Sequence, residues 1–321
     1  MKRPNILAFA GIALLFYAVL LAYFNAGEIF RAAKNFNIYY TIPILFLMSM
    51  SYLFKFSRWT FFIRSAGVSV PSKNLFMIFV SSLSMLITPG KVGDVLKSYL
   101  LKKKFGYEQR KTLPSVVLER ITDLPSIAIL SVAGAYSIYP NTFVLLLPIL
   151  VLFLTLFAIK SNLCFRMIVG FVGNHTRTKK YSKSVESLYK NMRASTSYKN
   201  LFAGTLLGLV AWTAEGLMLY VLLLGLGIQV NFLFVVSIYA ISVIVGVLSL
   251  IPGGIGASEA SMFGLLVVAG ISKPEALAAT IIFRALTLWL SLAIGSMMLS
   301  IINRTKNISD SDENPKQESE I

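Results

Sequence analysis

Residues 6–24, 38–54, 142–159 and 201–226 are each apolar over about the ~20 residues a helix needs to cross a bilayer. Two further stretches of similar length, 113–138 and 276–302, are interrupted by charge. With 56% hydrophobic and 14% charged residues, the chain lies outside the range of soluble globular domains. The expectation is an all-α integral membrane protein, a polytopic bundle. Lys2 and Arg3 precede the first stretch as they would in a signal peptide, but the run is long. Phe24 also spoils the small-residue pattern before Ala26, so it reads as a retained helix.

Within this apolar background one motif occurs twice. Residues 89–93 read Pro-Gly-Lys-Val-Gly, and residues 252–256 read Pro-Gly-Gly-Ile-Gly. Arg120 follows the first proline by 31 residues, and Arg284 follows the second by 32. A Pro-Gly pair alone usually marks an ordinary turn. Turns do not predict a matched buried arginine, whereas two related halves of a transporter do.

Charge distribution sets the expected topology. Nine Lys and Arg fall between Lys160 and Lys199 against the single acid Glu186, and seven more fall between Lys91 and Lys111. Residues 134–141 and 225–232 carry no charge, so these connections belong outside under the positive-inside rule. The loop after residue 54, with Lys55, Arg58, Arg64 and Lys73, and the segment after Pro89 both belong inside. Residues 74–88 and 95–101 then form a re-entrant hairpin from the cytoplasm, turning at the first Pro-Gly. Residues 232–250 and 257–270 form its counterpart from outside. The predicted fold is two inverted repeats, about 38–138 and 201–302, each with a re-entrant Pro-Gly-broken hairpin. They form one membrane domain, 1–302, with a basic cytoplasmic loop at 160–200 and a disordered cytoplasmic tail at 303–321. Both termini lie in the cytoplasm of a cell-membrane protein, and 25 of the 30 basic residues lie inside.

A helix break at membrane depth is tolerated only beside protein or a water-filled cavity. It exposes a helix N-terminus with free N–H donors, suited to an anion. Gly90, Gly93, Gly253, Gly254 and Gly256 allow close backbone approach, and Asp94 and Ser258 are candidate N-caps of the returning half-helices. Arg120 and Arg284 need partners inside the bundle. Two readings stay open: the arginines meet an anionic substrate, or they pair with Glu119, Asp123, Glu215 and Glu259 and hold the halves together. Thr280, Arg284, Thr287 and Ser291 share one helical stripe. Arg58 and Trp59 read as an interfacial anchor. Cys164 and His175 are the only cysteine and histidine, so no His/Cys metal site is expected, and no cofactor or P-loop is evident.

Four motifs in order carry a family resemblance: Thr-Pro-Gly-Lys-Val-Gly-Asp at 88–94, Leu-Glu-Arg-Ile-Thr-Asp at 118–123, Trp212 with Glu215, and Ile-Pro-Gly-Gly-Ile-Gly-Ala-Ser-Glu at 251–259. The chain resembles the transmembrane flippase region of lysylphosphatidylglycerol synthases and the stand-alone proteins that share it. The resemblance implies a lipid-handling protein that moves lipids between leaflets. Some stand-alone members are associated with polyprenyl-linked sugars. The synthases attach the amino acid with a C-terminal soluble domain, for which the residues after 302 leave no room, so lipid lysylation is not expected.

The leading expectation is therefore a flippase for an anionic, phosphate-bearing lipid, not an enzyme. Its partners would be membrane lipids and no nucleic acid, with a second copy or a lipid-modifying enzyme as possible protein partners. The alternatives are a membrane-embedded transferase or hydrolase acting on lipid-linked sugar through Glu119 and Asp123, and a non-catalytic partner of a lipid-modifying enzyme.

Overall fold

The structure is a computed structural model that describes residues 26–88, 93–138 and 197–304, with isolated positions between 150 and 161. The first expected span, most of the span at 142–159, the basic loop and the tail lie outside the described residues. All regular structure among the described residues is helical. In chain order the helices are α1 (Ala26–Lys34), α2 (Thr41–Ser65, entered through a 3-10 turn at Ile38–Tyr40), α3 (Ser72–Ser82), α4 (Val95–Phe105) and α5 (Gln109–Ile138). They continue with α6 (Tyr198–Gly225), α7 (Phe232–Leu248), α8 (Ala257–Val268), α9 (Lys273–Arg284) and α10 (Ser291–Arg304). A π-helical segment, Ala285–Leu290, joins the last two into one rod. Ile38–Ser65, Tyr198–Gly225 and Lys273–Arg304 are each long and apolar enough to cross a membrane. Phe232–Leu248 and Pro252–Val268 are apolar but shorter.

Local sequence explains most boundaries. Ser197 Oγ accepts from Asn200 N at the start of α6, and Asn231 Oδ1 accepts from Leu233 N and Phe234 N at the start of α7. Gly106, at φ 71°, terminates α4 after Lys102, Lys103 and Lys104 fill its last turn. Pro114 and Pro125 lie inside α5, each removing one helical donor.

The second span is longer than its hydropathy predicts. The helix does not stop at residue 54 but runs to Ser65, carrying Lys55, Arg58 and Arg64 along it. Arg58 and Trp59 are not an interfacial anchor: both are buried in the protein. A helix continues past its charges when each charge meets an acid inside, as Lys55 and Arg58 do.

Packing brings distant segments together. α6 lies along α2 and α5, α7 lies along α5 and α8, and α10 lies along α3. Lipid offers no hydrophobic drive for helix association, so small residues and interhelical hydrogen bonds set the contacts. Ser237 on α7 accepts from Gly134 N at 2.6 Å and donates to Leu130 O at 2.7 Å. A Cβ at Gly216 would stand 3.0 Å from Val236, and one at Gly208 would stand 2.5 Å from Arg58 Nη1. The interior cluster includes Ile44, Met218, Leu222, Val235, Met262 and Phe283. Phe46, Leu53, Phe202, Leu206 and Met297 form an exposed apolar surface of the kind that lipid covers.

Candidate functional site

The helices surround a cavity of about 160 Å³, lined by residues of α2 to α9, by Thr88 and Asp94 beside the first glycine-rich break, and by Gly253 and Gly254 of the second. That is room for a cluster of waters or a small polar group. Lys55, Arg58, Lys97, Arg120 and Arg284 line it, as do Asp94, Glu119, Asp123 and Glu215. Glu259 lies just behind, against Arg284. Five cations thus face five acids, and at the most enclosed of them, Arg58, Lys97, Glu119 and Glu259, an unpaired charge would be expensive.

At the first break, Arg120 Nη2 lies 3.0 Å from Asp94 Oδ2, and its Nη1 lies 2.9 Å from Asp123 Oδ2. Asp94 holds the N-cap position that the sequence suggests. It precedes α4, but its side chain makes no capping bond, because the carboxylate is drawn to Arg120. Glu119 does not pair with Arg120 either. Residues 119 and 123 share a helical face, yet Glu119 Oε2 accepts from Lys97 Nζ at 2.5 Å, both side chains being 1% exposed. Lys97 therefore belongs to the interior rather than to the cytoplasmic positive charge. Thr88 Oγ1 accepts from Gly93 N at 2.7 Å across the turn, and a Cβ at Gly93 would strike Met85 and Thr88. Gly90 lies outside the described residues.

At the second break, Arg284 Nε donates to Glu259 Oε1 at 2.7 Å and Nη2 donates to Gly253 O at 2.8 Å. The backbone here requires glycine: φ is 65° at Gly253 and Gly254, and 90° at Gly256. Gly256, not Ser258, is the N-cap of α8. Glu259 Oε2 accepts from Gly256 N at 2.8 Å, closing the helix start from within. Ser258 is buried instead against Gly246 and Gly254, either of which would clash with its hydroxyl if it carried a Cβ. The expected polar stripe faces the protein interior, where Ser291 is fully buried against Tyr52. Thr280 is fully buried and bonds Ala276 O at 2.8 Å, and Arg284 and Thr287 reach the cavity.

The two breaks share a plan. In each, an arginine on the following long helix reaches back to an acid placed just beyond the glycines, Asp94 for Arg120 and Glu259 for Arg284.

Comparison with known proteins places this plan in a family. The lysylphosphatidylglycerol synthase TM region matches residues 6–295. The chain belongs to that family. A UPF0104 membrane protein of Pyrococcus horikoshii is 24% identical over 96% of this chain and 100% of its own length. A second UPF0104 membrane protein, from Methanothermobacter thermautotrophicus, is 22% identical over 91% of this chain and 94% of its own length. The glycosyltransferase AglD of Haloferax volcanii is 23% identical over the whole of this chain, which covers 58% of AglD. As a member of the lysylphosphatidylglycerol synthase TM region family, the protein is a membrane protein.

In this family member a third charged group completes the cavity. Lys55 on α2 pairs with Glu215 on α6, whose other oxygen accepts from the Tyr239 hydroxyl. Ser51 Oγ also donates to Glu215, at 2.8 Å, and Lys55 Nζ sits 4.4 Å from the Trp212 ring centroid. Tyr52 Oη bonds Ser291 Oγ at 2.5 Å, tying α2 to α10. Lys55, Arg58, Lys97, Tyr52 and Tyr239 are all absent from the residues that the sequence nominates. A signal was present for two of them: Ser51, Lys55 and Arg58 recur at helical spacing, as one polar face of a buried helix would.

Proposed function

We propose that the protein moves an anionic, phosphate-bearing lipid between membrane leaflets. One observation carries this reading: a charge-lined, water-sized cavity lies between the two glycine-rich helix breaks inside an apolar bundle. A headgroup needs such a path because its charge cannot cross hydrocarbon unaided, while its tails remain in lipid. Arg120 and Arg284 would take over headgroup hydration as Asp94 and Glu259 release them. The packing of α5 on α7 and of α10 on α3 supports two inverted halves, each with a re-entrant hairpin, rocking about the cavity.

The test is reconstitution into vesicles, following headgroup accessibility to a membrane-impermeant reagent. Phosphatidylglycerol should equilibrate between leaflets faster than in protein-free vesicles, with no leakage of trapped dye. Equal rates with and without protein would remove the proposal.

Topology is checked separately. A cysteine at Gln229, exposed in the connection between α6 and α7, should label from outside intact cells, and one at Lys103 only after permeabilisation. External labelling at Lys103 would mean that the first Pro-Gly segment crosses the membrane, and the inverted arrangement would fall.

The AglD relationship favours one second reading, a partner of an enzyme acting on lipid-linked sugar. Under that reading the cavity residues tolerate substitution while the partner's activity depends on the chain. A membrane-embedded hydrolase using Glu119 and Asp123 has less support. Glu119 is held by Lys97, and Asp123 by Arg58, Arg120 and Trp212.

A further inference from the structure

Two guanidiniums in the cavity keep donors in reserve. Arg58 is 1% exposed, yet neither its Nε nor its Nη1 has a hydrogen-bond partner among the described residues, and Arg120 Nε is in the same condition. Arg58 Nη1 stands 2.8 Å from Asp123 Oδ1, an ion-pair distance without hydrogen-bond geometry. A buried N–H that makes no hydrogen bond keeps its full desolvation cost. Buried donors facing a polar cavity therefore mark a place for an acceptor.

Three donors already converge on one anion there. The Asp123 carboxylate receives Trp212 Nε1 at 2.7 Å, with Arg58 at 2.8 Å and Arg120 at 2.9 Å. Gly208 makes room for the Arg58 head, since a Cβ there would lie 2.5 Å from Nη1 and 2.8 Å from Ser126 Oγ. Two planar guanidiniums around a single oxyanion are the arrangement by which proteins recognise phosphate.

We infer that Arg58 and Arg120 form a phosphate subsite in which Asp123 is the internal competitor. The phosphate oxygens take Arg58 Nε and Arg120 Nε, and the ligand contends with Asp123 for the Nη groups. Lys97 contributes charge from across Asp94, 3.8 Å away. The inference rests on the translocation reading only for the source of the phosphate, because a lipid headgroup and free phosphate present the same chemistry.

The experiment measures binding of radiolabelled inorganic phosphate to the full chain in dodecyl maltoside, a detergent without phosphate. Phosphatidylglycerol is added as competitor, with a phosphate-free diglucosyl lipid as control. Arg58→Lys keeps a positive charge opposite Asp123 but has no Nε. It should bind phosphate about tenfold more weakly at an unchanged thermal midpoint. Asp123→Asn removes the competitor and should bind several-fold more tightly, which a merely structural ion pair does not predict. Wild-type affinity in both variants, or no phosphate binding by the wild type, overturns the subsite. Phosphate binding that phosphatidylglycerol fails to displace keeps the subsite and counts against lipid translocation. Wild-type translocation by an Arg58→Lys protein that binds no phosphate keeps the subsite and takes it off the translocation path.

Discussion

Lys97→Met should destabilise the protein by about 3–5 kcal/mol, because it leaves Glu119 buried without a countercharge. The pair is among the most enclosed in the molecule: Nζ to Oε2 is 2.5 Å, with both side chains 1% exposed. Lys97 also sits 5.4 Å from the Trp59 ring centroid and 5.6 Å from that of Phe79, so its stem and head are packed as well as paired. Methionine replaces the stem but not the charge. Combining Lys97→Met with Glu119→Leu should recover most of the loss, since an apolar pair of similar volume avoids the desolvation of two ions. Thermal unfolding in detergent, followed by loss of the monodisperse peak, measures all three variants against the wild type. Single variants that each melt like the wild type would mean that water reaches this pair. Translocation retained by the refolded double variant would assign the pair to structure and leave the transport path to Arg58, Arg120 and Arg284.

Lys97 also illustrates where sequence reading failed. Hydropathy treats a lysine or arginine as a boundary whatever it faces, so Lys55, Arg58 and Lys97 all read as cytoplasmic charge. Their partners lie far along the chain, Glu215 being 160 positions from Lys55. Nothing local marks such a pairing. The helical face shared by Ser51, Lys55 and Arg58 was the one available clue, and it points to burial only once an opposing acid is known.

What depended on short-range pattern was legible. The apolar stretches at 38–54 and 201–226 became helices, α7 ends and α8 begins on either side of the second glycine-rich break, and Arg284 lies at that break as its spacing implied. The capping rule gave the wrong residue because it ranks serine above glycine in general. At this turn the backbone φ of 90° decides, and only glycine meets it comfortably. Position 256 therefore became the cap, and Ser258 fell at the second position of α8, facing Gly246.

That same backbone makes the second break the sharpest test of the proposed path. Gly256→Val should abolish most translocation without preventing membrane insertion. Valine at φ 90° is strained by about 1–3 kcal/mol, and relieving that strain moves the N–H that Glu259 now accepts. Arg284→Lys probes the other side of the same contact. One guanidinium spans the Glu259 carboxylate through Nε and the Gly253 carbonyl through Nη2. A lysine ammonium keeps the charge but lacks the planar fork, so it cannot hold both acceptors in that geometry. Losing one charge-assisted bond at about 1.5–3 kcal/mol corresponds to a rate roughly tenfold lower or more, if the bond is remade to a headgroup during passage. Both variants are compared with the wild type at matched protein levels, as headgroup accessibility over time in dye-tight vesicles. Slow translocation in both, with normal melting of Arg284→Lys, places the second break on the path. Wild-type rates in both would take the break out of the path and leave passage to the Arg58 and Arg120 side of the cavity.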